Sequence, residues 1–177
     1  VHLNSVTDQY STIAVVGPNA RKLMKLLCQD VDFERENFKF MQWRQGTVCG
    51  VDARIMRISF SGELAYEINV EANYGRYIWD QVAIAGEKWN ITPYGTESMH
   101  VLRAEKGYII VGQDTDGTVT PIDLNLNWMI GKKKKDFIGK RSLTRSDTSR
   151  DDRKQLVGII PLDKSEFIEE GQHVVEC

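Results

Sequence analysis

One carboxylate in this chain lies where it could recognise a flat, nitrogen-rich ligand. Apolar and polar residues alternate from Leu64 to Val70, which predicts a β-strand with one apolar and one polar face. The apolar face holds Leu64, Tyr66, Ile68 and Val70. Glu67 lies on the opposite face in mid-strand, where it could accept two parallel hydrogen bonds from adjacent N–H donors. The alternative is a solvated strand glutamate, which is the commoner case.

Three side chains with suitable chemistry flank this carboxylate in the sequence. Phe60 precedes Glu67 across a predicted turn at residues 61–63, and its ring could stack on a planar ligand or pack in the core. Tyr108 follows a predicted helix and offers both a ring face and a hydroxyl. His100, within that helix, could form a hydrogen bond in a site, although a packed neutral histidine is an equal alternative.

The elements that must position these side chains follow from periodicity and turn residues. We predict strands at Ser11–Val16, Val51–Phe60, Leu64–Val70, Ile109–Val111 and Leu156–Ile160, and helices at Asn19–Cys28, Asn73–Trp89, Thr96–Lys106 and Pro121–Met129. Residues 29–46 look polar and irregular. The second and third strands form a hairpin with a short loop, Asn73 caps the helix after it, and Gly107 ends the next helix. Antiparallel strands with helices packed on one side predict the α+β class.

Composition excludes several classes of function. The 177 residues include 23 basic and 25 acidic side chains, a net charge of −2 that gives no basis for binding nucleic acid or an anionic membrane. No run of 18 apolar residues is present to span a bilayer. Cys28, Cys49 and Cys177 are widely spaced and the three histidines are scattered, which predicts reduced thiols, no metal site and a cytoplasmic protein.

The second half of the chain offers a domain boundary and a lysine run. The charged segment from Thr144 to Lys154 predicts a linker, so we expect one domain over residues 1–143 and a second over 144–177. From about Gln155 the chain looks like the opening of a small β-barrel that is truncated. Lys132–Lys135 predicts a solvated loop, with electrostatic attraction of a polyglutamyl ligand as the alternative.

Three segments in a fixed order carry a family resemblance. They are Arg57–Ile68 (RISFSGELAYEI), Gly95–Tyr108 (GTESMHVLRAEKGY) and Asp136–Lys140 (DFIGK). Together they resemble the folate-binding aminomethyltransferase family, which includes the glycine-cleavage T-protein and folate-linked amine oxidases and dehydrogenases. The second segment is most similar to the alpha subunits of heterotetrameric sarcosine oxidases. The resemblance covers about residues 6–160 and implies the aminomethyltransferase fold, incomplete at its N-terminus.

The resemblance also assigns roles to individual residues. It implies that Glu67 holds the pterin ring of folate, and it places further folate contacts at Phe60, Tyr66, Met99, His100 and Tyr108. In the T-protein, an arginine directed at the folate tail and an aspartate occupy the positions of Met99 and His100. Their absence argues against a true glycine-cleavage enzyme, and the tail must then be held elsewhere.

The implied activity depends on parts that this sequence does not contain. The catalytic aspartate of the family lies upstream of the matched region, and no Gly-x-Gly-x-x-Gly dinucleotide motif is present. We expect tetrahydrofolate as the ligand of this chain, with FAD, FMN and NAD bound by other parts of an oxidase complex. The expected partners are the rest of the alpha subunit and the other oxidase subunits, and the isolated fragment is expected to lack oxidase activity. A T-protein or dehydrogenase relative, and a non-catalytic folate-binding or interaction module, stay open as alternatives.

Overall fold

A computed structural model describes residues 1–169, 171–173 and 175. The chain divides into two compact units, Val1–Tyr108 and Ile109–Cys177. Every residue assigned to the predicted site belongs to the first unit. The predicted domain boundary after residue 143 lies within the second unit and stays a prediction.

The first unit is built on a four-stranded antiparallel sheet. Its strands are β1 (Tyr10–Val16), β2 (Trp43–Val48), β3 (Val51–Met56) and β4 (Ala65–Glu71). Their order in the sheet is β1-β4-β3-β2, so β4 is a central strand that pairs with β1 and β3. The alternation predicted for β4 is observed, because Tyr66, Ile68 and Val70 are buried on one face while Glu67 and Asn69 lie on the other.

Three helices accompany this sheet: α1 (Ala20–Leu27), α2 (Gly75–Gly86) and α3 (Thr96–Glu105). α1 and α2 contact each other and the sheet, with α2 against the edge strand β1 and α1 against the central strand β4. They cover the apolar face of the sheet, and the core lies between them and residues such as Ile13, Ile55 and Ile68. The expected antiparallel sheet is therefore confirmed, and two of the three helices pack on one side of it. The opposite face, which carries Glu67, is not covered by α1 or α2.

Three details of the first unit differ from the sequence prediction. β2 begins inside the region 29–46 that was expected to be irregular, and Phe33 and Phe38 of that region are fully buried. The connection between β3 and β4 spans residues 57–64 and is longer than the predicted turn. Asn73 does not cap a helix, because it lies in a 3-10 turn that precedes α2 and forms no capping hydrogen bond.

The second unit consists of turns and two 3-10 helices, Asn127–Met129 and Lys140–Thr144. Within its described residues no β-strand forms, so the strands predicted at 109–111 and 156–160 are wrong, and the start of a barrel is not seen. The predicted helix over 121–129 is a turn followed by the first 3-10 helix. Lys132–Lys135 is exposed, as expected for a solvated loop. No helix among the described residues has the length and apolarity needed to cross a bilayer.

A buried ion pair between Arg153 and Asp123 stabilises part of the second unit. Arg153 donates from Nε and Nη2 to the two carboxylate oxygens of Asp123, at 2.9 and 2.6 Å. The backbone N–H and the hydroxyl of Thr120 donate to the same carboxylate, at 2.8 and 2.9 Å. These hydrogen bonds, among which those from Arg153 have the largest effect, hold the pKa of Asp123 far below its usual range. Asp123 is thus a structural carboxylate rather than a candidate for the ligand site.

Candidate functional site on the open face of the sheet

Glu67 lies at the centre of the face that α1 and α2 leave open. Its neighbours across the sheet are Ala14 of β1 and Met56 of β3. The side chain is half-buried, and among the described residues its carboxylate has no hydrogen-bond or ion-pair partner. Burial therefore raises the pKa of the Glu67 carboxyl group above its usual value. A desolvated carboxylate without a partner is an acceptor available to a ligand that brings its own N–H donors.

Tyr94 is a side chain near Glu67 that the sequence does not point to. Its pKa is raised by burial and, secondarily, by the negative charge of Glu67, which places the phenol within electrostatic reach of the carboxylate. Tyr94 precedes α3 and follows Pro93 in an irregular segment. That segment has no periodicity, so no sequence pattern could have linked Tyr94 to the strand.

Phe60 and His100, both expected at the ligand site, lie close to each other. Phe60 lies on the connection between β3 and β4, and His100 lies on α3. Their ring centroids are 6.3 Å apart and the rings are inclined by 33°. Phe60 is 45% exposed, so part of its ring is accessible to a ligand. Met99 precedes His100 on the helix, is half-buried and brings no charge to this region.

Tyr108 lies at the end of α3, close to the same connection. Gly107 has a φ of +73°, a left-handed conformation that ends the helix and lets the Tyr108 N–H donate to the carbonyl of Arg103 at 2.9 Å. A Cβ atom built on Gly62 would lie 3.2 Å from Cζ of Tyr108, so the tyrosine ring packs against that glycine. Tyr108 is 46% exposed.

Tyr66 does not belong to this group of residues. It points from β4 into the core, has no exposed surface, and packs edge-on against Phe33 with ring centroids 5.4 Å apart. Its hydroxyl accepts a hydrogen bond from Nε of Arg21 at 3.3 Å. Because successive residues of a strand point to opposite faces, Tyr66 cannot contact a ligand that lies against Glu67. The expected direct role of Tyr66 in folate binding is therefore corrected to a role in the core.

The open face also contains a shallow concavity of about 400 Å³. The concavity lies next to Glu67, towards the C-terminal end of β4. Its lining residues include Tyr10, Gln45, Asp52, Arg54, Asn69, Glu71 and Tyr74. The guanidinium carbon of Arg54 lies 5.9 Å from the ring centroid of Tyr10 and 5.7 Å from that of Trp43. Glu67 does not line this concavity, but Asn69, two residues further along β4, does.

Comparison with known proteins assigns the class. The family of GCVT N-terminal domains matches residues 1–134, which include the whole sheet, all three helices and every residue of the site. The chain therefore belongs to this family. The expected aminomethyltransferase relationship is confirmed at the level of the family.

The chain is similar to sarcosine oxidase alpha subunits and to aminomethyltransferases. It is 53% identical to the sarcosine oxidase subunit alpha of Corynebacterium sp. strain U-96 and 40% identical to that of Rhizobium meliloti, over 99% of this chain and 18% of each relative. It is 32% identical to the aminomethyltransferase of Halothermothrix orenii, over 78% of this chain and 38% of that protein. The chain thus spans under a fifth of the length of the sarcosine oxidase subunits it matches.

Proposed function

We propose that this chain is the tetrahydrofolate-binding part of a folate-linked amine oxidoreductase of the sarcosine oxidase alpha type. The observation that carries the proposal is Glu67, a half-buried carboxylate without a partner among the described residues, on the open face of a central strand. The family match and the sarcosine oxidase relatives support the class. The activity of the whole protein and its assembly with other subunits belong to the proposal, as does the cytoplasmic location.

The chemistry of the site suits a pterin. The amino-pyrimidinone edge of a pterin presents adjacent N–H donors, and the carboxylate of Glu67 can accept two of them in parallel. The exposed part of the Phe60 ring offers a face on which the bicyclic ring can stack. Tyr94 adds a phenol within reach of the carboxylate's charge. These groups recognise the pterin ring of folate, while Met99 contributes no charge that could bind the anionic tail.

The proposed role of the domain is to position the acceptor of a one-carbon unit. In the complete enzyme a flavin bound elsewhere would supply the oxidation of the N-methyl group of sarcosine. Tetrahydrofolate, held through its pterin ring by Glu67 and Phe60, would accept the carbon of that methyl group, so that 5,10-methylenetetrahydrofolate and glycine are the products. The protein's contribution is to hold the acceptor nitrogen near that carbon and to exclude water, which would otherwise release formaldehyde.

A direct test is calorimetric titration of the full-length gene product with tetrahydrofolate. Saturable binding that weakens in Glu67→Ala supports the proposal. Neither heat nor a thermal shift with the unsubstituted protein would instead favour a non-catalytic interaction module. In the complete complex, sarcosine turnover with tetrahydrofolate should yield 5,10-methylenetetrahydrofolate in place of free formaldehyde.

A folate-linked dehydrogenase is the second candidate function. The chain is 28% identical to mouse mitochondrial dimethylglycine dehydrogenase, over 84% of this chain and 17% of that protein. The two candidates differ in the electron acceptor, because an oxidase reduces O2 to hydrogen peroxide and a dehydrogenase passes electrons to another carrier. Peroxide formation during sarcosine turnover by the full-length complex decides between them.

A further inference from the structure

The connection that carries Phe60 is held mainly from outside the sheet. β3 ends at Met56 and β4 begins at Ala65, so residues 57–64 are not part of the strand ladder. In the described part of the chain, residues 58–63 form no backbone hydrogen bond with another backbone group outside the helices and strands. Backbone hydrogen bonds hold only the two ends of the connection, at Arg57 and Leu64, so the Phe60 ring between them depends also on side-chain contacts made by its neighbours.

Those contacts join the connection to the end of α3. Nζ of Lys106 lies 2.8 Å from Oε1 of Glu63, as a half-exposed ion pair. A Cβ atom on Gly62 would lie 2.8 Å from Cγ of Lys106, so the lysine stem lies directly against the glycine backbone. Gly62 has a φ of +79°, which a glycine adopts without strain. The ring of Tyr108 contacts the same glycine.

The end of α3 is a defined surface for this contact. The N–H groups of Gly107 and Tyr108 donate to the carbonyls of Ala104 and Arg103, each at 2.9 Å. These bonds close the helix C-terminus and fix the backbone from which Lys106 and Tyr108 extend. His100 lies on the same helix, so the element that holds the connection also carries the ring opposite Phe60.

We propose that Gly62 and Glu63, held by Lys106 and Tyr108, form a clamp that positions Phe60 and His100 for ligand binding. This inference rests on the proposed folate site and deepens it, because it assigns Glu63 and Lys106 as positioning residues. The clamp joins two elements, a strand connection and a helix end, that no backbone ladder in the described part of the chain holds together. Opening it moves the Phe60 ring away from His100 and removes a wall against which a planar ligand lies.

The clamp predicts that affinity and stability respond differently to the same substitution. An exposed ion pair contributes little to the stability of a fold, because solvent screens the charges and both side chains lose freedom. A displaced binding group is costly, since misplacement by about 1 Å in a site lowers activity by up to about 100-fold. Breaking the Glu63–Lys106 pair should therefore change ligand affinity far more than the melting temperature.

The experiment is a charge-reversal cycle in the full-length gene product. Tetrahydrofolate affinity and melting temperature are measured for Lys106→Glu, Glu63→Lys and the double variant. Arg76→Glu is the matched control, because Arg76 forms an exposed ion pair with Asp80 at 2.9 Å on α2, in the same unit. We expect each single reversal at the clamp to weaken tetrahydrofolate binding about tenfold or more, and the double reversal to restore it to within about threefold. The control should leave affinity unchanged.

Two results would overturn the clamp while leaving the folate site intact. One is unchanged affinity in both single reversals; the other is failure of the double reversal to recover, which would mean that Lys106 meets the ligand directly. Glu67→Gln is measured in parallel, and weaker binding in that variant shows that the folate site itself is sound. Absence of tetrahydrofolate binding by the unsubstituted protein would instead overturn the proposed function and the clamp together.

Discussion

Replacing Glu67 should weaken the binding of tetrahydrofolate without weakening the fold. In most proteins a half-buried side chain contributes to stability, so its removal usually lowers both stability and affinity. The Glu67 carboxylate, however, has no partner among the described residues, and burial disfavours its ionised form. Glu67→Gln should consequently leave the free energy of unfolding at neutral pH equal to or above that of the unsubstituted protein.

The expected loss of affinity follows from the hydrogen bonds that the carboxylate can form. A hydrogen bond to a charged group contributes about 1.5–3 kcal/mol. Glu67→Ala removes both acceptor oxygens, so binding of tetrahydrofolate should weaken by more than about 1.5 kcal/mol, or more than about tenfold. Glu67→Gln keeps one acceptor oxygen and turns an N–H donor towards the ligand's other donor. Its affinity should therefore fall as well.

The pH dependence of stability gives an independent check on the state of Glu67. Its pKa in the folded protein is raised above the usual 4.5, so the folded state holds the proton more tightly than the unfolded state. The contribution to stability is then fully present below the usual pKa and is lost as pH rises through the raised pKa. Glu67→Gln lacks this loss, so the variant should gain on the unsubstituted protein over that window and keep the advantage at neutral pH.

The assay combines calorimetric titration with thermal unfolding from acid to neutral pH. Glu87→Gln is the control, because Glu87 is an exposed glutamate of the same unit, in the 3-10 turn after α2, and lies outside the candidate site. The control should change neither affinity nor the difference in stability. Unchanged folate affinity in Glu67→Ala would remove Glu67 from the site. A marked loss of stability in Glu67→Gln would refute the expectation that the carboxylate is dispensable to the fold, because it would show a structural role for that group.

Three further predictions concern the fold. Gly46→Ala should lower stability by about 1–3 kcal/mol in a denaturant titration, because the new methyl group would overlap the side chain of Val31; an unchanged midpoint would contradict this packing. Asp123→Asn should lower the melting temperature at neutral pH, and the difference should shrink as pH falls below the usual pKa of 3.8, because Arg153 stabilises the carboxylate; a difference independent of pH would refute this. Burial, followed by a hydrogen bond to Asp30, raises the pKa of Cys28 to about 12, so a thiol reagent should label it at neutral pH only after unfolding; rapid labelling of the folded protein would contradict this.

Local patterns predict the elements that carry the site. The alternation in β4 and the helical spacing in α1 and α2 are properties of short segments, and each segment has a buried face that the sequence records. The end of α3 is also predictable, because Gly107 marks it and adopts the expected positive φ. These signals alone place Glu67 on the face opposite the core.

β2 could not be predicted in the same way. Its buried positions are Gly46 and Val48, and a glycine carries no side chain that would reveal a buried face. Gly46 is there because its neighbours Val31 and Cys28 leave no room for a Cβ atom, which is a property of the tertiary packing. β2 forms by pairing with β3, and that pairing fixes its place at the edge of the sheet.

In the second unit the sequence predicts strands that do not form. Residues 109–111 and 156–160 are rich in β-branched side chains, which predicts strands, yet neither segment pairs within the described part of the chain. A strand exists only with a partner, so propensity alone overestimates it. The ion pair of Asp123 and Arg153 stabilises part of this unit instead. Because the two residues are separated by 30 positions, no local sequence pattern predicts their contact.

Positions 99 and 100 depart from the pattern that the resemblance to the T-protein implies. The resemblance to the T-protein places an arginine and an aspartate there, whereas this chain has Met99 and His100. In the structure His100 faces Phe60 with 6.3 Å between ring centroids, so this position supplies a ring rather than a charge. In the proposed function Glu67, on a different element, is the acceptor for the pterin edge. The proposal thus places ring recognition on β4 and leaves positions 99 and 100 of α3 without a charge for the folate tail.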